Sequence, residues 1–201
     1  MFVLAASLKK SNALHDVLAT AELWRRTPRE RDLATEADAL RSLAENLRDD
    51  PEQMLRSLVD QSITLCGAQT AGLSMVRTDA NGTSYFSWDC IRGVLAHCEG
   101  GSTPIDHSPC GVTLSHGSPQ LFRLPGRYFH YFLDVDPQIV EGLVVPVVVA
   151  NRAIATIWIV RHDDDRPFTN TEVEVMSSLA SFTGAALRLM SDPTRPRSAT
   201  A

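Results

Sequence analysis

His97-Cys98 and His107-x-x-Cys110 form the densest group of soft ligands in this 201-residue sequence. Thiolate and imidazole together suit zinc, iron or haem, and both pairs lie on one stretch of chain that could fold back on itself. The spacing matches no standard zinc motif. The simpler reading makes Cys98 and Cys110 small apolar side chains packed beneath a loop, so His97, Cys98, His107 and Cys110 are only weak metal candidates. Cys110 has a second possible role. It follows Pro109 and opens a predicted helix, where peptide dipoles and unpaired N–H groups lower a thiol's pKa and invite oxidation. That makes it a candidate redox sensor, with Cys98 or Cys90 as the resolving thiol. The competing reading caps the helix with Ser108 or the loop and buries Cys110 in the first turn.

A second set of candidates could line a pocket: Trp88, His107, Cys110, Arg127, Tyr128, His130 and Tyr131. The run Arg127-Tyr128-Phe129-His130-Tyr131 offers one cation and several aromatic faces for an anionic or planar ligand. The alternative is a half-buried helix whose Tyr128 and Phe129 fill the core while Arg127 and His130 stay in water. Asp163-Asp164-Asp165 reads as a solvated turn, because three adjacent carboxylates cannot all face one cation. Glu141, at a strand start, is placed to pair with an arginine. No Ser/His/Asp order, glycine-rich phosphate loop or paired-carboxylate motif stands out, so enzyme is not the first reading.

Composition narrows the partners. The net charge is −5, and no lysine follows Lys10. Nucleic acid is thereby disfavoured, since binding phosphates needs a basic face. Met1 to Ala6 is a short apolar run placed before its lysines, the reverse of a secretory signal, and no stretch is long enough for a membrane helix. The expected location is the cytoplasm, where the four cysteines stay reduced.

The elements that must position these groups follow from periodicity. Leu14, Val17, Leu18, Ala21 and Trp24 share one face of a predicted first helix ending near Thr27-Pro28. Leu33, Ala37, Leu40, Ala44 and Leu47 form a narrow seam on a second helix, which packs either on its own domain or in a dimer. Asp50 and Pro51 open a third helix running to Cys66-Gly67. Strands are predicted over 71–77 and 84–91, joined by the Asn81-Gly82 turn, which favours positive φ. The stretch 92–109 has no period and is too long for a mere connector, so it either covers a pocket or moves. A short helix over 110–116, a strand over 120–122 and a helical turn over 127–133 follow. Two branched apolar strands over 142–149 and 154–161 read as central and buried. Thr169-Asn170-Thr171-Glu172 is a capping box, with Phe168 and Val173 as its hydrophobic staple, opening a last helix that reaches Met190.

Taken in order, Asp106-His107-Ser108-Pro109-Cys110-Gly111, Arg127-Tyr128-Phe129, the strand Val140 to Pro146 and the strand Ala155 to Val160 resemble a bacterial GAF subfamily. That subfamily commonly sits at the N-terminus of sensor histidine kinases. The resemblance runs from about Pro51 to Met190 and implies an α+β fold. An antiparallel sheet of five or six strands carries helices on one face and a loop-rich pocket on the other. It divides the chain into an N-terminal helical segment (1–50), a GAF domain (51–190) and a disordered tail (191–201). No kinase, cyclase or DNA-binding segment follows Met190, so output is expected either through a separate signalling protein such as a histidine kinase or from an output domain absent from this chain. Terminal helices of such modules lie together and dimerise, so a homodimer is expected. The resemblance implies a sensor of an unidentified small molecule or of redox state, with the cofactor unknown. Its thiol-enzyme alternative is the free methionine sulfoxide reductase type, built on Cys90, Cys98 and Cys110, although the flanking residues differ from that family. Bilin attachment is disfavoured because the chain has His97-Cys98, the reverse of the usual order.

Overall fold

The structure, a computed structural model, describes residues 13–191. After a 3-10 turn at Leu14–Asp16 come three helices: α1 (Thr20–Leu23), α2 (Leu33–Asp49) and α3 (Pro51–Cys66). The hairpin β1 (Thr70–Thr78) and β2 (Ser84–Gly93) leads through β3 (Ser102–Pro104) to α4 (Pro109–His116) and β4 (Gln120–Arg123). The strands β5 (Glu141–Val149) and β6 (Arg152–Arg161) and the helix α5 (Asn170–Met190) complete the described chain. The strands form one antiparallel six-stranded sheet in the order β3-β2-β1-β6-β5-β4.

Local chemistry sets the element ends. The Asp50 carboxylate accepts from the amides of Glu52 and Gln53, and Pro51 fills the first helical position of α3, where no N–H is needed. Gly67 closes α3 in the left-handed conformation, at φ +57°. The Thr169/Glu172 capping box opens α5 as the sequence predicts. In the first hairpin the positive φ falls on Gly82 alone, while the Asp79 carboxylate holds the amides of Asn81 and Thr83. Pro146 is tolerated inside β5 because β4 pairs only with Glu141 to Val144, which leaves the outer edge at Pro146 open.

Strand alternation divides the interior. Leu143, Val145 and Val147 of β5 and Ala155, Ile157 and Ile159 of β6 face α3 and α5, packing with Met54, Leu58, Met176 and Leu179. Val144 and Trp158 face the other way, toward α4, Phe122 and Phe129. The expected layering, helices on one face and a loop-walled pocket on the other, is what the chain adopts.

Three expectations need correcting. The first predicted helix is broken: the Ala19 amide donates to the Leu121 carbonyl and the Arg123 amide to the Val17 carbonyl, each at 2.8 Å. Residues 17–19 thus run beside β4, satisfying an edge that would otherwise be open, and Trp24 is left 67% exposed. On α2 the buried face is Glu36, Ala39 and Leu43; of the predicted seam, Leu40 and Leu47 pack partly against the same core, while Leu33, Ala37 and Ala44 are exposed. Glu36 is paired with Arg31, which also reaches Glu174 of α5. The aromatic run forms two 3-10 segments, Pro125–Arg127 and His130–Asp134, with the chain turning between them to bury Phe129 completely. Of the tail assigned to 191–201, only Ser191 lies within the described residues, and the Met1 to Ala6 run lies outside them.

Candidate functional site

A cavity of about 80 Å³ lies between the sheet and the segments that cross its open face. Its floor is β5 and β6, with Gly142, Val144, Trp158 and Val160, and its walls come from β2, α4 and the 3-10 segments. Each wall has a local cause. Ser108 caps α4, accepting from the Gly111 amide at 3.1 Å, and a Cβ at Gly111 would lie 1.8 Å from the Ile105 carbonyl oxygen. Only glycine therefore lets the loop before α4 fold tightly against its first turn, which places Cys110 against the sheet. Trp158 lies flat across β1, donating its indole N–H to the Ser74 hydroxyl at 2.8 Å. This requires Gly72 on the adjacent strand, where a Cβ would meet the indole at 2.2 Å.

The cavity holds three of the pocket candidates together, Trp88, Cys110 and Tyr131, and adds Cys98. It does not take in the others. His107 is exposed and stacks against Tyr128 and Phe129, with ring centroids 5.3 Å away in each case, while His130 is exposed to solvent. Arg127 and Tyr128 are half-buried outside the cavity lining. Among the described residues, no acidic, basic or histidine side chain lines the cavity. His97 is exposed, and no group of three or more His, Cys, Asp or Glu residues among those described is arranged to hold a metal ion.

The cysteines separate into different environments. A β-bulge opposite Leu73 and Ser74 inserts Asp89, so Trp88 faces the cavity while Cys90 joins the helix-side core. Cys90 is therefore across the sheet from Cys110 and cannot resolve it without rearrangement of the strand. Burial pushes the Cys90 thiol up to about 11. Cys110 also departs from the expectation of a lowered pKa. Burial pushes it up, outweighing the lowering by the Thr156 and Ser74 hydroxyls beside it. Its helix is short and its thiol points into the core, so desolvation wins. Tyr131 is likewise pushed up, by burial first and by Cys110 second, and its hydroxyl has no hydrogen-bond partner. The buried Thr156 and Thr113 hydroxyls are also without a well-formed hydrogen bond.

One contributor escaped sequence reasoning. His162 sits between the Thr70 hydroxyl (3.0 Å from Nε2) and the Gln138 carbonyl (3.0 Å from Nδ1). The carbonyl can only accept, so Nδ1 carries the proton and Nε2 accepts from Thr70. Thr70 in turn accepts from the Leu95 amide, and Gln138 donates to the carbonyls of Leu133 and Val135. This chain of bonds ties β1 and β6 to the cavity rim.

A second network joins the floor to the helices. Glu141, next to Gly142, accepts from Arg26 at 2.8 Å and from the Phe168 amide at 2.6 Å. Arg26 also donates to the Phe168 carbonyl at 2.6 Å. Arg29 pairs with Glu172 at 2.7 Å and exchanges two hydrogen bonds with the Thr171 hydroxyl.

An antiparallel sheet with helices on one face and a loop-walled cavity on the other defines an α+β domain. The chain belongs to the GAF domain family, which it matches over residues 50–187. Among solved structures it is similar to the GAF domain of an Acinetobacter phosphoenolpyruvate-protein phosphotransferase, with a TM-score of 0.64 and 11% identity over 80% of this chain and 98% of that one. It is similar to the GAF-B domain of DevS from Mycobacterium smegmatis, with a TM-score of 0.56 and 20% identity over 71% and 96%. It is also similar to a free methionine-R-sulfoxide reductase from Neisseria meningitidis in complex with its substrate, with a TM-score of 0.61 and 15% identity over 81% and 94%. At these identities the likeness is one of fold. No curated protein matches the chain. No helix among the described residues is long and apolar enough to cross a membrane.

Proposed function

We propose that this GAF domain is a cytoplasmic sensory module that takes a small molecule into the cavity and reports its presence through the helices. The observation that carries this reading is the cavity itself, whose floor strand runs directly into the Glu141 network. A ligand pressing on Gly142 acts one residue from a carboxylate that holds both Arg26 and the start of α5. Sensing then requires two arrangements of α2 and α5 whose balance the ligand biases. The receiver is a separate signalling protein, such as a histidine kinase, and the module works as a homodimer through its helical face.

Native mass spectrometry on protein purified without a metal-affinity tag tests occupancy, and light scattering over a concentration series tests the dimer. A retained organic mass near one per chain is expected. A chain that stays monomeric throughout refutes the helical relay.

A thiol reading has one supporting observation, that Cys98 and Cys110 share the cavity wall. Reduction of free methionine sulfoxide by such a pair would form a Cys98–Cys110 disulfide and water, with an external dithiol restoring both thiols. The wall carries no charged group to hold an amino acid's ammonium and carboxylate, which weighs against it. Turnover of methionine sulfoxide with dithiothreitol, lost in Cys110→Ser, would establish it.

A further inference from the structure

The chemistry of the cavity wall selects its ligand, and the argument rests on the sensory reading above. Trp88, Ile91, Leu95, Phe132, Ile139, Val144 and Trp158 supply the surface, and the polar atoms behind it are mostly already engaged. The Trp158 indole N–H is committed to Ser74, and the Ser108 hydroxyl to Gly111 and Ile105. Among the described residues, no lysine, arginine, histidine or carboxylate faces the space. A carboxylate, phosphate or ammonium entering it would lose its hydration and gain no counter-charge, a heavy penalty in an apolar site. That argues against charged nucleotides, free amino acids and acidic pigments alike.

The Tyr131 hydroxyl lies behind the wall, sealed from the space and without a hydrogen bond among the described residues, so it presents nothing to a ligand. A hydrogen-bonding group on the ligand would therefore lose its water partners and gain none. The cavity, about 80 Å³, suits a molecule of roughly the bulk of a substituted benzene ring rather than a nucleotide or tetrapyrrole.

We infer that the ligand is a compact, uncharged, apolar molecule, aromatic or of similar bulk, that needs no hydrogen bond to the wall. The floor offers a control that removes space without removing a functional group. A Cβ at Gly142 would touch only a methyl of Val160, at 3.6 Å, and Gly142 is not among the glycines with positive φ. Gly142→Ala and Gly142→Val therefore narrow the cavity in steps without forcing the backbone.

Three probes of one size separate the terms: acetophenone, its apolar isostere α-methylstyrene, and benzoate. Titration calorimetry on the full chain is expected to show α-methylstyrene binding more tightly than acetophenone, by up to about tenfold, because the ketone gives up its water partners. Benzoate should bind at least a further tenfold more weakly than acetophenone. Tyr131→Phe should leave the order of the three probes unchanged. Gly142→Val should weaken both neutral probes at least tenfold, with Gly142→Ala intermediate, and circular dichroism confirming the fold of each variant.

Benzoate binding as tightly as acetophenone, or acetophenone binding more tightly than α-methylstyrene and losing that preference in Tyr131→Phe, overturns the inference. If the neutral probes fail while cyclic AMP or methionine sulfoxide binds the wild type and not Gly142→Val, the inference falls and the sensory cavity stands. If none of these five compounds binds, both fall together.

Discussion

Removing the Glu141 carboxylate should cost more than removing any surface charge, and the structure allows the size to be worked out. The Glu141 side chain is only 4% exposed, and Arg26 is 16% exposed. Glu141→Ala strands the Phe168 amide, which has no other partner among the described residues, and an unsatisfied buried N–H costs about 1–3 kcal/mol. It also leaves Arg26 without its inner carboxylate, although the guanidinium keeps Glu22 at 2.9 Å and the Phe168 carbonyl. Breaking a fully buried pair costs roughly 3–5 kcal/mol, and the partial solvation of Arg26 puts this pair at the lower end. The expected total is therefore about 4–6 kcal/mol, or a fall of roughly 8–24 °C in melting temperature for a chain this long. Glu141→Gln should lose less, about 1–2 kcal/mol, because its carbonyl can still accept from Phe168. Urea unfolding at neutral pH, with the slope unchanged, reads the difference. Arg26→Met combined with Glu141→Leu should be more stable than the sum of the two single losses predicts, because neither charge is then left alone. A Glu141→Ala cost under about 1 kcal/mol, or losses that simply add, refutes the assignment of Glu141 as a buried junction.

Thiol accessibility should follow the burial of the four cysteines. Ellman's reagent at neutral pH is expected to modify Cys98 alone in the folded state and all four cysteines in denaturant, and fast reaction of Cys110 would contradict its environment. The buried thiols also fix a pH dependence. Their folded pKa values are raised, so the unfolded chain releases its protons first and stability declines as pH climbs. For Cys90 the loss begins near an ordinary thiol pKa and is complete above about 11, worth roughly 2 kcal/mol, and Cys90→Ala should flatten part of this alkaline limb. Gly72→Ala should destabilise by about 2–3 kcal/mol and shift Trp158 emission, since the indole must leave its bed on β1; unchanged emission would show that the ring does not lie there. His162→Ala should speed hydrogen exchange at Leu95 and around residues 133–139 while the α5 core stays protected, as checked by mass spectrometry; uniform protection would mean the rim is held by packing alone.

Much of the frame was legible because it is written in local chemistry. Asp50-Pro51, Gly67 and the Thr169/Glu172 box each satisfy a helix end with a residue a few positions away, so sequence spacing alone discloses them. The branched runs of β5 and β6 are likewise visible, since burial on both faces leaves little room for polar residues. The first helix was misread because residues 14–24 carry a helical apolar period, yet the free edge of β4 offered Val17 and Ala19 better backbone partners. The α2 seam was misread in part, since Glu36 looks like a surface residue until Arg31 is found beside it.

The site was legible in a more limited way. Trp88, Cys110 and Tyr131 could be singled out by type, but side-chain type says nothing about which face of the sheet a residue reaches. A single inserted residue, Asp89, decides that Cys90 and Trp88 part company. A one-residue slip exchanges the two faces of a strand, and periodicity does not reveal where the slip occurs. His162 was missed for a related reason, because its partners Thr70 and Gln138 are distant in sequence and reach it only through the pairing of β6 with β1 on one side and with β5 on the other.

The same alternation bears on how such a cavity could speak to the helices. Residues on β5 and β6 take turns facing the ligand space and the helical core, so a ligand touching Val144 or Trp158 has Leu143, Val145 and Ile157 on the reverse of the same backbone. A close-packed interior resists small displacements and transmits them, and the layer of α3 and α5 lies directly behind. Glu141 is the point where this layer is held by charge as well as packing, since its two oxygens are divided between Arg26 and Phe168. A neutral ligand leaves that electrostatic balance untouched and acts through shape alone. Its influence is then limited to the difference in fit between the two arrangements it can bind. A cavity floored by glycine at position 142 is well suited to that limit, because the bare backbone there can move toward or away from the ligand without dragging a side chain through the packed wall.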